Sequence, residues 1–490
     1  MSRHQVDSTH ESRTMSRDTV SMLWKFGLMV LVGAVIYFIP APEGVDPRGM
    51  HMLGIFVATI LGLILQPLPT PSVALIGLAT AMITGAMDVK SGEALSGFSN
   101  SAVLLIVAAF FIADGFLLTG LGRRVALMFL RVLGKSPLGI AYGMAVTDLL
   151  LAPATPSNTA RAGGVIYPIV RSVAEVQGST PDTDESRRKL GSYLTFTAAH
   201  VNVITSAMFI TAMAGNPLAV ASAEKLGVHI SWGQWALAAL IPGLVSLAAV
   251  PWLLMKVYPP TLKSTPEAPT MARSELQKMG SMTRGEIIMA ATFVLLLVLW
   301  VFGTAIGVNA TTAAFVGIAV LLVTKVLTWN DMAKNGSAWN TLIFFAVLVG
   351  MAENLNNLGV ITWIGSVVSG AVGGMSWPVA FAILALVYFY AHYMFASNTA
   401  QIVAMYGVFL GAAIPAGAPP MFAALALGYI GNLFGAISHY ASGPSGVVYG
   451  SGYIKVSEWF KVAFIMSVAI IVIWTVVGSG WMWILGDLAM

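Results

Sequence analysis

A polar tripeptide, Ser-Asn-Thr, interrupts a long apolar segment twice, at Ser157-Asn158-Thr159 and at Ser397-Asn398-Thr399, and the two copies lie 240 residues apart in a chain of 490. Few features restrict a fold as much. In hydrocarbon every backbone N–H and C=O needs a partner, so a helix can break at membrane depth only where protein or a wet cavity surrounds the break. Pro153 and Pro156 argue against a continuous helix through the first copy. Ser, Asn and Thr are favoured caps for a helix that begins there. Each copy therefore reads as the tip between two half-helices, with the free N–H groups and partial positive charge of the second half aimed at the tip. Such a tip attracts anions. Its hydroxyls and amide can donate to a carboxylate, and amide and backbone oxygens can coordinate a small cation. Small polar residues packing helix against helix would explain one copy equally well. Two copies at matching places in two halves point instead to a binding site at a repeat interface.

The surroundings fix the solvent. With 57% hydrophobic and 9% charged residues and a mean hydropathy of +0.82, the chain is a polytopic membrane protein. The absence of cysteine excludes disulfides, thiolate metal sites and thiol catalysis. A formal charge of +4 on so few ionisable groups bears on orientation, and no nucleic-acid partner is expected.

Along the chain, residues 1–22 read as a cytoplasmic tail, with Arg3, Arg13 and Arg17 and no Ala-x-Ala-like cleavage site after the first apolar run. Residues 23–49 read as a first helix and loop, 50–257 as a first repeat, 258–284 as a basic cytoplasmic linker and 285–490 as a second repeat. Apolar spans are expected near 24–40, 50–66, 71–87, 99–119, 191–226, 233–257, 285–307, 309–328, 338–358, 418–452 and 461–485. The segments 137–176 and 377–415 carry the tripeptides, and Gly122 to Lys135 is a basic amphipathic helix for the membrane surface. Lysines and arginines flank both ends of the first broken segment, which makes it a re-entrant hairpin from the cytoplasm. The Gly-rich stretch 359–376 has none, so the second hairpin enters from outside. Further unwinding is expected at Met213 to Pro217 and at Ala441 to Pro444. The expected fold is all-α and polytopic: about eleven transmembrane helices plus two re-entrant hairpins, in two inverted repeats.

The run Leu151-Ala152-Pro153-Ala154-Thr155-Pro156-Ser157-Asn158-Thr159-Ala160-Arg161-Ala162-Gly163-Gly164, the second Ser-Asn-Thr and the terminal Tyr449-Gly450-Ser451-Gly452-Tyr453 resemble the divalent anion:sodium symporter family. The nearest likeness is to its citrate/succinate and tartrate/succinate antiporters and plastid 2-oxoglutarate/malate translocators. The resemblance implies a homodimer in which a mobile transport part moves a di- or tricarboxylate past a scaffold, in the manner of an elevator. It implies substrate binding by Ser157, Asn158, Thr159, Ser397, Asn398, Thr399, Ser442 and Gly443, with cation positions in sodium-coupled members at Asn158, Ala396, Asn398 and Ala441. Where those members carry Gly-Thr-Pro-Pro-Asn, this chain has Ala212-Met213-Ala214-Gly215-Asn216, which keeps only the asparagine and argues against an intact first cation site.

Arg161 is a fixed cation deep in an apolar segment, costly and functional by default. With His392 and His439, beside the second tip and the second unwound point, it is read as supplying positive charge that sodium supplies elsewhere. The alternatives are that Arg161 snorkels or pairs with Asp148, and that the histidines are packing residues. Asp114 and Glu353, in corresponding spans, read as paired or at a wet margin rather than as proton sites. The expected function is sodium-independent carboxylate exchange, with sodium-coupled symport the runner-up and no cofactor beyond sodium as a coupling ion. An enzyme is not expected: His51, His200, His392 and His439 lack metal spacing, and no Walker-type phosphate loop appears. A channel is a further alternative, and two discontinuous helices in inverted repeats favour alternating access around a binding site over it. The setting expected is a bacterial inner membrane, with the N-terminus cytoplasmic.

Overall fold

The computed structural model describes residues 17–371 and 374–486. Most of the expected tail, residues 1–16, lies outside the described residues. Among the described residues every regular element is a helix. Eight helices among the described residues are long and apolar enough to cross a membrane, and two of these, Pro137–Ala154 and Trp377–Met394, are the ingoing limbs of the tripeptide segments. The remaining six, the shorter apolar helices Ser21–Tyr37, Thr70–Ile83, Ala310–Val323 and Pro420–Ala436, and the interrupted helix Gly191–Met208 with Gly215–Lys225 give eleven candidate crossing segments among the described residues. Gly191–Met208 owes its lower apolarity to Thr195, Thr197, His200, Asn202, Thr205 and Ser206; each is buried, because this helix is enclosed by protein on all sides.

The two halves break in the same order. In the first, helix Pro137–Leu151 tightens into a 3₁₀ turn at Ala152–Ala154, and the chain restarts as Asn158–Arg161, capped by Ser157 Oγ accepting from Ala160 N–H. A wide π turn follows at Ala162–Ile166, before Tyr167–Val176. In the second, Trp377–Tyr390 tightens at Ala391–Met394, Ser397 caps Asn398–Gln401, and a π turn at Ile402–Tyr406 leads into Gly407–Ala413. Like the tripeptides, the π turns are 240 residues apart. Single π turns of this kind collect at functional sites.

A surface helix precedes each hairpin. Leu121–Leu133 follows Gly120 at φ 75° and Val360–Ala371 follows Gly359 at φ 80°, both turns needing the left-handed conformation that glycine adopts without strain. The expected polar linker contains a helix, Glu267–Met279. It lies along the first surface helix, tied by an Arg123–Glu275 ion pair of 2.7 Å and by Arg124, which grips Glu286 and the carbonyls of Gly280 and Ser281. The unwound points begin earlier than expected, after Met208 and Leu433, and helix resumes at Gly215 and Gly443. Pro217 and Pro444 therefore start helices rather than break them; proline lacks only an N–H that the first turn leaves unbonded.

The buried apolar side chains form one large cluster that holds both hairpins and the interrupted helices. A second gathers residues between Met29 and Ala94 with Val347 to Val360. Between them, Val103, Ile106, Leu218, Phe345, Ala346 and Val349 make a small bridge.

Candidate functional site

Each tip meets the unwound point of the other half. A Cβ on Gly443 would overlap the hydroxyl of Thr159, so glycine there lets the first tip approach the second break. Thr399 Oγ1 lies 3.9 Å from Met213 Sδ, which puts the second tip against the first break. Asn202 Nδ2 donates to Asn158 O at 3.4 Å, and Asn398 Nδ2 donates to Gly431 O at 3.0 Å. Asn432 Nδ2 bridges the repeats by donating to Asn216 Oδ1 at 2.7 Å. Ser157, Asn158, Thr159, Ser397 and Thr399 are half-buried, and Asn398 and Ser442 are buried. Gly443 and Ala396 are exposed. The structure thus gathers the substrate residues expected from the sequence around one centre.

Arg161 is fully buried and spends all five of its N–H groups. Nε donates to Asp148 Oδ1 at 2.9 Å, Nη1 to the carbonyls of Thr155 and Ala212 at 2.8 and 3.0 Å, and Nη2 to the hydroxyls of Thr205 and Ser206 at 3.3 and 2.9 Å. Thr205 also donates to Asp148 Oδ2. Of the readings weighed from the sequence, pairing with Asp148 is the arrangement present, so the charge of Arg161 is balanced inside the protein.

Gln401 stands in the second hairpin where Arg161 stands in the first, and it holds His392. Gln401 Nε2 donates to Tyr388 O at 2.6 Å, which turns its Oε1 towards His392 Nδ1, also at 2.6 Å. His392 Nε2 lies 2.8 Å from the carbonyl of Ala441. Both ring nitrogens face oxygens that only accept, so a neutral ring donates to one of them and only a protonated ring donates to both. Each hairpin therefore sends one nitrogen to a carbonyl at its own half's unwound point: Arg161 to Ala212, His392 to Ala441.

His439 is placed differently. Its ring packs with Tyr440, Tyr449 and Phe460, and its Nδ1 has no hydrogen-bond partner. Asp114 accepts from Asn335 at 2.7 Å and Glu353 pairs with Lys225 at 3.5 Å, so both are partnered. The oxygens Asn202 Oδ1, Asn398 Oδ1, Asn432 Oδ1 and Ser438 Oγ are buried without a protein partner. The sequence reading passed over Gln401, Met213, Asn202 and Asn432. The first had a signal, standing 240 residues after Arg161, and the two asparagines had another, as amides inside apolar segments. No group of three or more His, Asp or Glu among the described residues could hold a metal ion.

The family model described as "Sodium:sulfate symporter transmembrane region" matches residues 20–488. YflS of Bacillus subtilis is 48% identical over 94% of this chain and 96% of its own length. The chloroplastic dicarboxylate transporter 1 of Arabidopsis thaliana is 46% identical over 92% and 81%, and the citrate/succinate antiporter of Escherichia coli is 35% identical over 93% and 97%. Among solved structures, the Alcanivorax borkumensis YdaH transporter shares the fold at 12% identity, with a TM-score of 0.55 over 96% of this chain and 99% of that one.

Proposed function

Because the chain belongs to the sodium:sulfate symporter transmembrane family, we propose that it exchanges di- or tricarboxylates across a bacterial inner membrane without sodium, by an elevator-like alternation of access. The chain is a membrane transporter and not an enzyme. Two half-helix tips capped by Ser157 and Ser397 suit a molecule with separated carboxylates, and relatives named as a dicarboxylate transporter and a citrate/succinate antiporter support that class.

One observation carries the exchange mode. The backbone carbonyls at the two unwound points, which would face cations in sodium-coupled relatives, already meet nitrogens of this chain, Arg161 at Ala212 and His392 at Ala441. With Asp148 beside it, Arg161 fills its position without lending free charge. On this reading His392, once protonated, supplies the positive charge that a bound carboxylate balances, and an imidazolium without its anion slows the unloaded crossing. The same site acting as a dimer, with the N-terminus cytoplasmic, accords with the family resemblance and with the lysine and arginine bias of the loops.

The test is uptake of labelled succinate into proteoliposomes, preloaded or not with unlabelled dicarboxylate, with and without a sodium gradient. Uptake that needs internal dicarboxylate and ignores sodium is expected, and His392→Gln is expected to weaken it. The buried Asn398 Oδ1, unpartnered in the protein, favours a second reading, since it is a spare cation ligand. Sodium-driven uptake into empty vesicles would select sodium-coupled symport and sink exchange.

A further inference from the structure

We propose that Met213 sets the specificity of this site: its side chain closes the second tip to branched molecules, so that linear dicarboxylates are carried and tricarboxylates are turned away. The proposal rests on the carboxylate reading above and narrows it.

The two tips face unlike surfaces. Thr159 faces Gly443, which has no side chain. Thr399 faces Met213, which is 2% exposed and sits with Sδ 3.9 Å from the threonine hydroxyl. Met213 is held in place, because Gly215 N–H donates to Sδ at 2.9 Å. Gly215 lets it sit close, since a Cβ there would lie 3.0 Å from Met213 Sδ and Cε and 2.5 Å from Ile402 Cδ1. The thioether is therefore buried between the second tip and the backbone of Gly215.

A thioether is a weak acceptor. Thr399 O–H gives up little by turning from sulfur to a carboxylate oxygen, so one carboxylate docks at this tip easily. A third carboxylate branching off beside that tip would have to displace a packed side chain and set a charge against carbon and sulfur, which is costly without donors. At the other tip Thr159 lies directly against the backbone of Gly443, where no side chain stands to meet a branch of the substrate. The asymmetry selects unbranched acids with one carboxylate at each end.

The experiment uses the full chain in succinate-loaded proteoliposomes, with initial rates of labelled succinate and of labelled citrate uptake measured over a range of concentrations. The wild type is expected to favour succinate in kcat/KM. Met213→Ala should shrink that preference by about tenfold or more, the scale of one group fitting or not fitting a pocket, chiefly through a lower KM for citrate. Met213→Leu, which keeps the volume and loses the sulfur, should keep the wild-type preference. Met213→Val, a smaller cut, reads the same ratio should Met213→Ala not fold. A wild type that takes citrate as readily as succinate overturns the filter, as does an unchanged ratio in the smaller variants, or a change with Leu as large as with Ala. A wild type that exchanges neither acid overturns the carboxylate reading, and the filter falls with it.

Discussion

Arg161 and Asp148 lie within one hairpin, 13 residues apart, and both are almost wholly enclosed. Taking two charges out of water is expensive, and the pair persists because all five guanidinium donors and both carboxylate oxygens are met. Removing one partner is worse than removing both, since it leaves an uncompensated buried charge. Asp148→Asn is expected to destabilise the folded protein by about 3 kcal/mol or more, read as a lower thermal unfolding midpoint in detergent. Adding Arg161→Gln to it should recover part of the loss. A single variant as stable as the wild type would mean that water reaches the guanidinium. The sequence carried this pair only as an alternative, because burial cannot be read from a lone arginine in an apolar run. The His392–Gln401 contact was less legible still, since a neutral glutamine gives no charge signal and only the repeat offset marks it.

At the scale of elements, the crossings and broken hairpins were legible because apolar length and proline placement govern them directly. The linker helix Glu267–Met279 was not, because it is polar and amphipathic against one neighbouring helix rather than against lipid. Its charges give it a pH dependence. The Lys278 ammonium, and then Arg123, hold the Glu275 carboxyl below the ordinary glutamate range. A depressed carboxyl stabilises where it is ionised, so the tie between linker and surface helix is present above the ordinary glutamate pKa of about 4. It is lost as pH falls through the lowered value. Amides of 267–279 should therefore show lower protection factors, each rate being referred to the intrinsic exchange rate at its pH, in acid than at neutral pH, and Glu275→Gln should show the lower protection at neutral pH as well. Protection unchanged by acid in the wild type would place the tie elsewhere. A cavity of about 430 Å³ lies beneath this helix, lined by Arg123, Leu127, Gly164, Ile169, Met271 and Glu275, so the outgoing limb of the first hairpin is only loosely backed on that side.

Across the whole molecule, Lys225 ends the interrupted helix that reaches the first break, and Glu353 sits on Gly336–Asn357, which joins the separate cluster built on the first helices. Their ion pair is a quarter to a third exposed, so its worth is modest, about 1 kcal/mol at most. Lys225→Gln should change exchange rates by no more than about fivefold, the equivalent of that energy, and the charge-swapped pair Lys225→Glu with Glu353→Lys should restore them. The absence of cysteine in the chain allows a sharper test. With Lys225→Cys and Glu353→Cys, a reducible bifunctional thiol reagent long enough to span the former ion pair should stop exchange, and reduction should restart it, if the two bodies slide past each other. Full exchange in the cross-linked form would sink the elevator motion.

The crossing of the tips has a consequence for how such a protein comes into being. Thr159 rests on Gly443 and Thr399 on Met213, so neither half owns a finished site. A chain emerging from the ribosome shows its first Ser-Asn-Thr long before the residues that face it exist, and the last of these arrive when most of the chain is already in the bilayer. Recognition is the final act of assembly, and a solute that binds at all reports that both halves of the polypeptide have found each other.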